Sequence, residues 1–228
     1  MSSFMIRTDL ALEARESAEE GAEELRGVCV EEDYHEESEV KVTKVVISSK
    51  NSAKLLGKPV GTYITLEAPT MTQPDDDYHK EISEELAKQL KEIIPGLDKE
   101  LSVMVVGLGN RDVTADALGP NVVDNLTITR HMVKEFGKAA YGKNRMHMIS
   151  GLIPGVMAKT GMESSEIIKG VVEKTNPDVV IVVDALAARS TKRLNRTIQI
   201  TNTGIHPGSG VGNYRNSITE EILGVPVV

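Results

Sequence analysis

Tryptophan is absent from the 228 residues and aromatic side chains make up only 3% of them, which leaves no platforms on which the bases of single-stranded nucleic acid could stack. One cysteine is present, Cys29; it has no partner for an internal disulfide, so the chain fits a reducing compartment and the thiol reads as idle. No apolar stretch is long enough to span a bilayer, and the amino terminus, MSSFMIRTDLALEAR, lacks the apolar core of a signal peptide. These absences predict a cytoplasmic, soluble protein without a membrane partner. Basic charge is in deficit as well: 26 Lys and Arg stand against 34 Asp and Glu, a formal net charge of -8. Direct binding to a phosphate backbone is therefore disfavoured, whereas basic protein partners would be steered toward the surface.

Several motifs are missing too. Gly107-Leu108-Gly109 invites a dinucleotide reading, but the third glycine of G-x-G-x-x-G would fall on Asp112, a carboxylate where pyrophosphate would sit. No Gly-Lys-Ser or Gly-Lys-Thr follows a strand, and Gly-x-Ser-x-Gly, a Cys/His nucleophile arrangement and His-Glu-x-x-His are all absent. His35, His79, His131 and His147 show no partner pattern. The sequence thus implies no cofactor.

What is present centres on residues 101–120, LSVMVVGLGNRDVTADALGP: an apolar run, a glycine turn, an acid, and a helix opening. Such a run bounded by glycines predicts a buried strand, and the following ALGPNVVDNLTITRHMVKEF has helical spacing at Val122, Leu126, Thr129 and Val133. Asp116 is then expected where a strand has ended and a helix begins. A second stretch repeats the arrangement: a helix over residues 162–175, the breaker Asn176-Pro177-Asp178, the apolar run VVIVV, and at once Asp184-Ala185-Leu186. If the two strands are neighbours, Asp116 and Asp184 face each other at the carboxyl edge of a sheet, where open α/β sheets bind ligands.

The plain reading of each aspartate is a helix N-cap. A pair at one sheet edge suggests more, because two like charges held close resist joint ionisation, leaving one carboxyl as acid and the other as base. Gly107, Gly109 and Asn110 would shape the turn and offer amides to a developing oxyanion. His206, in the glycine-rich TGIHPGSGVGN of residues 203–213, reads as a structural histidine, as substrate-binding or oxyanion support, or as a third ligand with Asp116 and Asp184 for a water-activating divalent ion. That loop itself reads as a backbone-amide ligand cradle or as plain irregular structure.

Elsewhere, Thr8 or Asp9 would cap a first helix with Leu10, Ala14, Ala18 and Ala22 on a weakly apolar face. The acids Glu13, Glu16, Glu19, Glu20, Glu23, Glu24, Glu31, Glu32, Asp33, Glu36 and Glu37 predict a solvated helix face or a mobile segment. VKVTKVVIS and GTYITLEAP read as paired strands with turns at Asn51 and residues 57–59. HKEISEELAKQLKEIIPG reads as a helix carrying Ile82, Leu86, Leu90 and Ile93, closed by Pro95-Gly96. A basic turn (Arg189, Lys192, Arg193, Arg196) precedes a strand-like TIQIT, and the final LGVPVV reads as the start of another strand, so the natural protein is expected to continue. The expected fold is α/β: a mainly parallel central sheet flanked by helices over residues 76–228, truncated at its carboxyl end, with a small mixed appendage over residues 1–75.

IRTDLALEAR, GLGNRDVTADALGPNVV, PGVMAKTGMESSEIIKGVVEKTNPDVVIVVDALAARS and TIQITNTGIHPGSGVGN together resemble the germination proteases of spore-forming bacteria, over about residues 6–226. GLGNRDVTAD also resembles the first strand and turn of hydrogenase-maturation endopeptidases. The resemblance implies an endopeptidase made as a zymogen in the forespore and kept in the spore core, a homotetramer that degrades small acid-soluble spore proteins at germination. It places the family's two essential aspartates on Asp116 and Asp184, and a propeptide, if one is removed, would end near Phe4, Met5 or Ile6. Two other readings stand beside it: a metal-dependent peptidase using Asp116, Asp184 and His206, and a non-enzymatic protein whose acidic amino-terminal region captures basic partners.

Overall fold

The computed structural model describes residues 8–20, 26–36, 38–140, 142, 146–206 and 216–228. Phe4, Met5 and Ile6, Ala22, Glu23, Glu24, Glu37 and the glycine-rich residues 207–213 lie outside them, as do the side chains of Ala18, Glu19 and Glu20. The chain forms two units, one from the described parts of Met1–Ile93 and Leu186–Thr203, the other from Ile94–Ala185 with the described parts of Gly204–Pro207 and Tyr214–Val228.

In the first unit, α1 (Ala11–Glu20) is followed by β1 (Val28–His35), β2 (Val40–Ile47), α2 (Lys50–Leu56), β3 (Gly61–Glu67) and α3 (Asp76–Ile93), and β7 (Thr197–Thr201) joins from late in the chain. The four strands make one antiparallel sheet in the order β1-β2-β3-β7. β2 buries Val40 and Val42 on one face and Val45 and Ile47 on the other, and Ile47 packs with Ala11, Leu56 and Tyr63; each such aliphatic side chain contributes about 1.5–3 kcal/mol on burial.

β1 is absent from the sequence expectation. Glu31, Glu32 and Asp33 are poor strand formers, yet β1 is an outer strand whose exposed side tolerates charge and is guarded by it. Nor is the connection after β2 a plain turn through Asn51. It is a helix, capped by Ser49 Oγ accepting from Ser52 N at 3.1 Å and ended by Gly57 at φ 63°. α3 matches its expectation, with Ile82 and Ile93 buried and Leu86 and Leu90 half-buried.

The acidic block is not uniformly solvated. Leu10, just before α1, and Ala11, Leu12 and Glu13 in its first turn are buried, with Glu13 at 0% exposure. Glu13 accepts from Thr8 Oγ1 (2.5 Å), Arg189 N (2.8 Å) and Ser190 N (2.9 Å). Arg193, from the basic turn, lies 3.5 Å from Glu13, is bidentate to Glu16 (2.7 and 2.8 Å) and donates Nε to Glu67 at 2.7 Å. Burial pushes the Glu13 carboxyl up, but these hydrogen bonds and the Arg193 charge outweigh it and leave it below its ordinary value. Part of the acid is therefore consumed internally rather than offered to a basic partner. Arg193→Met is expected to cost about 3 kcal/mol, because it strands a buried carboxylate beside two others. Urea denaturation measures it, and a loss below about 1 kcal/mol would show that the cluster behaves as a surface ion pair.

The second unit holds β4 (Ser102–Gly107), α4 (Leu118–Asp124), α5 (Arg130–Phe136), β5 (Met148–Leu152), α6 (Met157–Thr160), α7 (Ser164–Thr175), β6 (Val179–Val183) and α8 (Glu220–Leu223). β4 is buried at every position and lies between β5 and β6, both parallel to it. Residues 226–228 extend this ladder beyond β6, with Val180 N donating to Pro226 O (2.9 Å) and Val182 N to Val228 O (2.8 Å). Met104, Val106 and Leu108 pack with Ile168 and Val172 of α7, and with Val180, Ile218, Leu223 and Val227. α7 starts at a capping box between Glu163 and Glu166 and stops, at the breaker expected from the sequence, at Asn176 in the left-handed region.

Two expectations need correction. The sheet is not mainly parallel as a whole: parallel pairing is confined to the second unit, and the larger, four-stranded sheet is antiparallel. The single helix expected over residues 117–136 is two short ones, because Thr129 is drawn to β5. Its N–H donates to Ile149 O (3.0 Å), while its hydroxyl donates to His147 O (2.5 Å) and accepts from Ile149 N (2.9 Å).

Candidate active site

Chain order decides where a crevice opens. From β4 the chain runs to β5 on one side and later to β6 on the other, so the carboxyl end of β4 is the switch point where open α/β sheets bind ligands. Gly107, the last residue of β4, stands opposite Val183, the last of β6. Leu108 N then donates to Val183 O at 2.9 Å, keeping the two strand ends together for one more residue.

The loop that follows is built on glycine. Gly109 has φ +112°, and a Cβ there would lie 1.9 Å from the carbonyl oxygen of Asp116. Asn110 organises the rest: its side-chain oxygen accepts from Asp112 N (3.1 Å), and its carbonyl accepts from Val113 N (3.0 Å). Asp116 N donates in turn to Val113 O at 2.8 Å, within a short 3-10 turn, Thr114–Asp116. The Asp116 carboxylate then folds back, Oδ2 accepting from Asn110 N at 2.7 Å. The amide of Asn110 is thus engaged by the acid and fixes its plane.

Neither aspartate acts as a helix N-cap. The cap position of α4 is Ala117, without a side-chain hydrogen bond. After β6, residues 184–188 have no regular secondary structure, and Asp184 Oδ1 accepts from Ala185 N at 2.9 Å. Both acids are half-buried. Each therefore stands just past the carboxyl end of one of two adjacent parallel strands, its carboxylate oriented by a nearby backbone amide.

Gly119 is a contributor that residue-type reasoning passed over. A Cβ on it would come within 2.4–2.5 Å of Leu108 O, Leu108 N and Val183 O, and one on Gly107 would come within 2.2 Å of Gly119 O. The first turn of α4 is pressed against both strand ends, and its signal in the sequence was a glycine placed before Pro120 in an opening helix. At the rim, Lys159 of α6 pairs with Asp112 and holds that carboxyl below its ordinary value, while Arg111 pairs with Asp124 at 2.7 Å.

His206 is placed otherwise. It is exposed, its Nδ1 is 2.6 Å from Ser217 Oγ, and it follows Ile205, which pairs reciprocally with Ile218 at 2.9 Å. Among the described residues no three His, Cys, Asp or Glu side chains are grouped so as to hold a metal ion. Asp116, Asp184 and His206 accordingly do not form the ligand triad that the metal reading requires. No helix among the described residues is long and apolar enough to cross a membrane.

Known proteins with this sequence pattern are specific. The chain is 50% identical over 223 residues to a germination protease of Caldanaerobacter subterraneus subsp. tengcongensis, covering 98% of this chain and 67% of that protein. It is 45% identical over 233 residues to one of Bacillus mycoides, covering 100% of this chain and 62% of that protein. Against one of Clostridium perfringens it is 46% identical over 226 residues, covering 99% and 68%. The chain thus spans about two thirds of the length of these curated relatives, or a little less. The family model described as germination protease matches residues 5–228, so the chain belongs to the germination protease family.

Proposed function

We propose that the protein is an endopeptidase, made as a zymogen in the forespore, that degrades small acid-soluble spore proteins in the spore core at germination. The observation that carries this reading is the arrangement of Asp116 and Asp184 past the ends of β4 and β6 at the switch point, in a chain of this family. In the reaction, one carboxylate takes a proton from water as the water oxygen bonds to the peptide carbonyl carbon. The other carboxyl gives its proton to the amide nitrogen as the C–N bond breaks, and the two groups have then exchanged protonation states. Gly107 and Gly109 let the backbone of the loop approach this centre closely, and Asn110 orients Asp116. His206 is exposed and would meet substrate rather than the reacting atoms. The working form is a homotetramer.

Incubating the purified protein with a small acid-soluble spore protein is expected to give discrete fragments by mass spectrometry, unchanged in rate by a metal chelator, from a species of tetramer mass by light scattering. Loss of cleavage on chelation would return the metal-dependent reading. Tight binding without any cleavage would favour an acidic capture protein.

A further inference from the structure

Exposed apolar side chains scattered singly over a surface need no explanation. Two that flank a candidate catalytic acid do. Val113 lies shortly before Asp116 and Leu118 shortly after it, and they are 47% and 51% exposed. Neither is loose. Val113 N donates to Asn110 O at 3.0 Å, and Val113 O accepts from Asp116 N at 2.8 Å, so the main chain of Val113 is fixed on both sides. Leu118 opens α4, and the next two residues, Gly119 and Pro120, are buried. Gly119 is pressed so closely on Leu108 and Val183 that no methyl group fits between them, which fixes the start of the helix.

Local structure asks for neither apolar group. Val113 holds the N-cap position of the 3-10 turn without a side-chain hydrogen bond, a place that Ser, Thr, Asp or Asn would serve better. Leu118 stands outside the buried side of α4, which is made by Gly119, Pro120 and Val123. The charges at this rim are already paired, Asp112 with Lys159 and Arg111 with Asp124 at 2.7 Å. Beside the half-buried Asp116 carboxylate the loop therefore offers an incoming chain apolar surface. Hydrophobic lining around a few placed polar groups is how ligand sites are built.

We infer that Val113 and Leu118 are specificity residues for the proposed cleavage: they receive an apolar side chain of the substrate within two positions of the bond that is cut. This rests on Asp116 taking part in the reaction. The occupant is the substrate because both side chains belong to the short stretch that carries Asp116, and the hydrogen bond that places the Asp116 amide is made by Val113 itself. A peptide seated for attack at that carboxylate has to pass over them. Covering the exposed half of one such side chain changes kcat/KM by about fivefold, and the pair together by about tenfold or more.

The test uses a synthetic peptide spanning one bond that the parent protein cuts in a small acid-soluble spore protein. It is compared with copies in which each apolar residue within two positions of that bond is replaced by Ser. For the parent, one such replacement is expected to lower kcat/KM at least tenfold. In Val113→Ser/Leu118→Ser the same two peptides are expected to differ less than threefold, because the loss falls on the apolar peptide alone. Phe136→Ser is the control: its side chain is 62% exposed on α5, in neither of the loops that carry the two acids, and it keeps the parent's discrimination. Should the double variant fail to fold, Val113→Thr keeps the shape and is expected to lose at least twofold in discrimination. A parent that cuts all the peptides alike overturns the inference, and so does unchanged discrimination in the folded variants. A fall in oligomer mass by light scattering with discrimination unchanged assigns the two side chains to an interface between copies and overturns it too. Full activity of Asp116→Asn removes the reading underneath and is recognised separately, because that variant keeps Val113 and Leu118.

Discussion

Asp184→Asn is expected to lower kcat for spore-protein cleavage by about 100- to 10,000-fold, the range for removing a positioned proton-transfer group. Asparagine has the same shape, and its carbonyl oxygen can still accept from Ala185 N, as Asp184 Oδ1 does at 2.9 Å. The fold at the end of β6 is then preserved while the ability to take or give a proton is lost. Asp116→Asn is expected to fall in the same range, since its oxygen can still accept from Asn110 N. The double variant should be little worse than either single one, as groups that act together lose their effect together. A purely structural acid would behave differently, costing about 1 kcal/mol of stability and leaving turnover intact. Kinetics on folded variants, checked by circular dichroism, separate these outcomes, and near-normal turnover in either single variant would dismantle the pair.

The next largest effect is steric. Gly119→Ala adds one methyl group where Leu108 O, Leu108 N and Val183 O already stand 2.4–2.5 Å from the Cβ position. All three are backbone atoms of the two strand ends, joined to one another by the Leu108–Val183 hydrogen bond. No side chain can turn aside, so α4 must lift or the strand ends must part. Overpacking of this kind costs about 3 kcal/mol, and because both aspartates follow those strand ends, a loss of turnover of at least tenfold should accompany it. Gly170→Ala is the matched control. It lies exposed in the interior of α7, with nothing within 4 Å of its Cβ position. There the substitution is expected to stabilise by about 0.5–1 kcal/mol with unchanged activity. Urea midpoints for the two variants moving in opposite directions would support the close-contact account, and equal midpoints would contradict it.

Much of the candidate site was legible because its signals are local. VVIVV and SVMVVG are nearly continuous apolar runs, a pattern of strands in parallel sheets, and β4 is buried at every position while β6 is buried at Val179 and Val180 and half-buried beyond. The helices α3 and α7 carry regular apolar spacing together with their own start and stop residues. Asp184, directly after β6, must stand at the carboxyl edge of the sheet whatever the sheet's order, whereas Asp116, nine residues past the end of β4, is brought back to that edge by the loop. The burial of Glu13 was not legible, because its acceptors are filled by Arg189 and Ser190, some 176 residues away. β1 was hidden by Glu31, Glu32 and Asp33, whose charge suits an outer strand only once β2 has paired with its other side. Thr129 broke a helical period for a similar reason, its partners being His147 and Ile149 on another element.

By itself the sequence determined the strands β4 and β6, the helix α7, the acids that follow those strands and, through long ordered motifs, the family. Each of these follows from residue type over a few neighbouring positions, where apolar period, caps and glycine act without help from the rest of the chain. Only the tertiary structure decided that β7 pairs with β3 in an antiparallel sheet, that β4 lies between β5 and β6, and that Asp116 takes the amide of Asn110. It also decided that the acidic amino terminus engages Ala187 through Asp9 and Arg189 and Ser190 through Glu13. These depend on which distant groups meet. A backbone amide or a carboxylate has no preferred partner in sequence; it takes the one that burial leaves within reach.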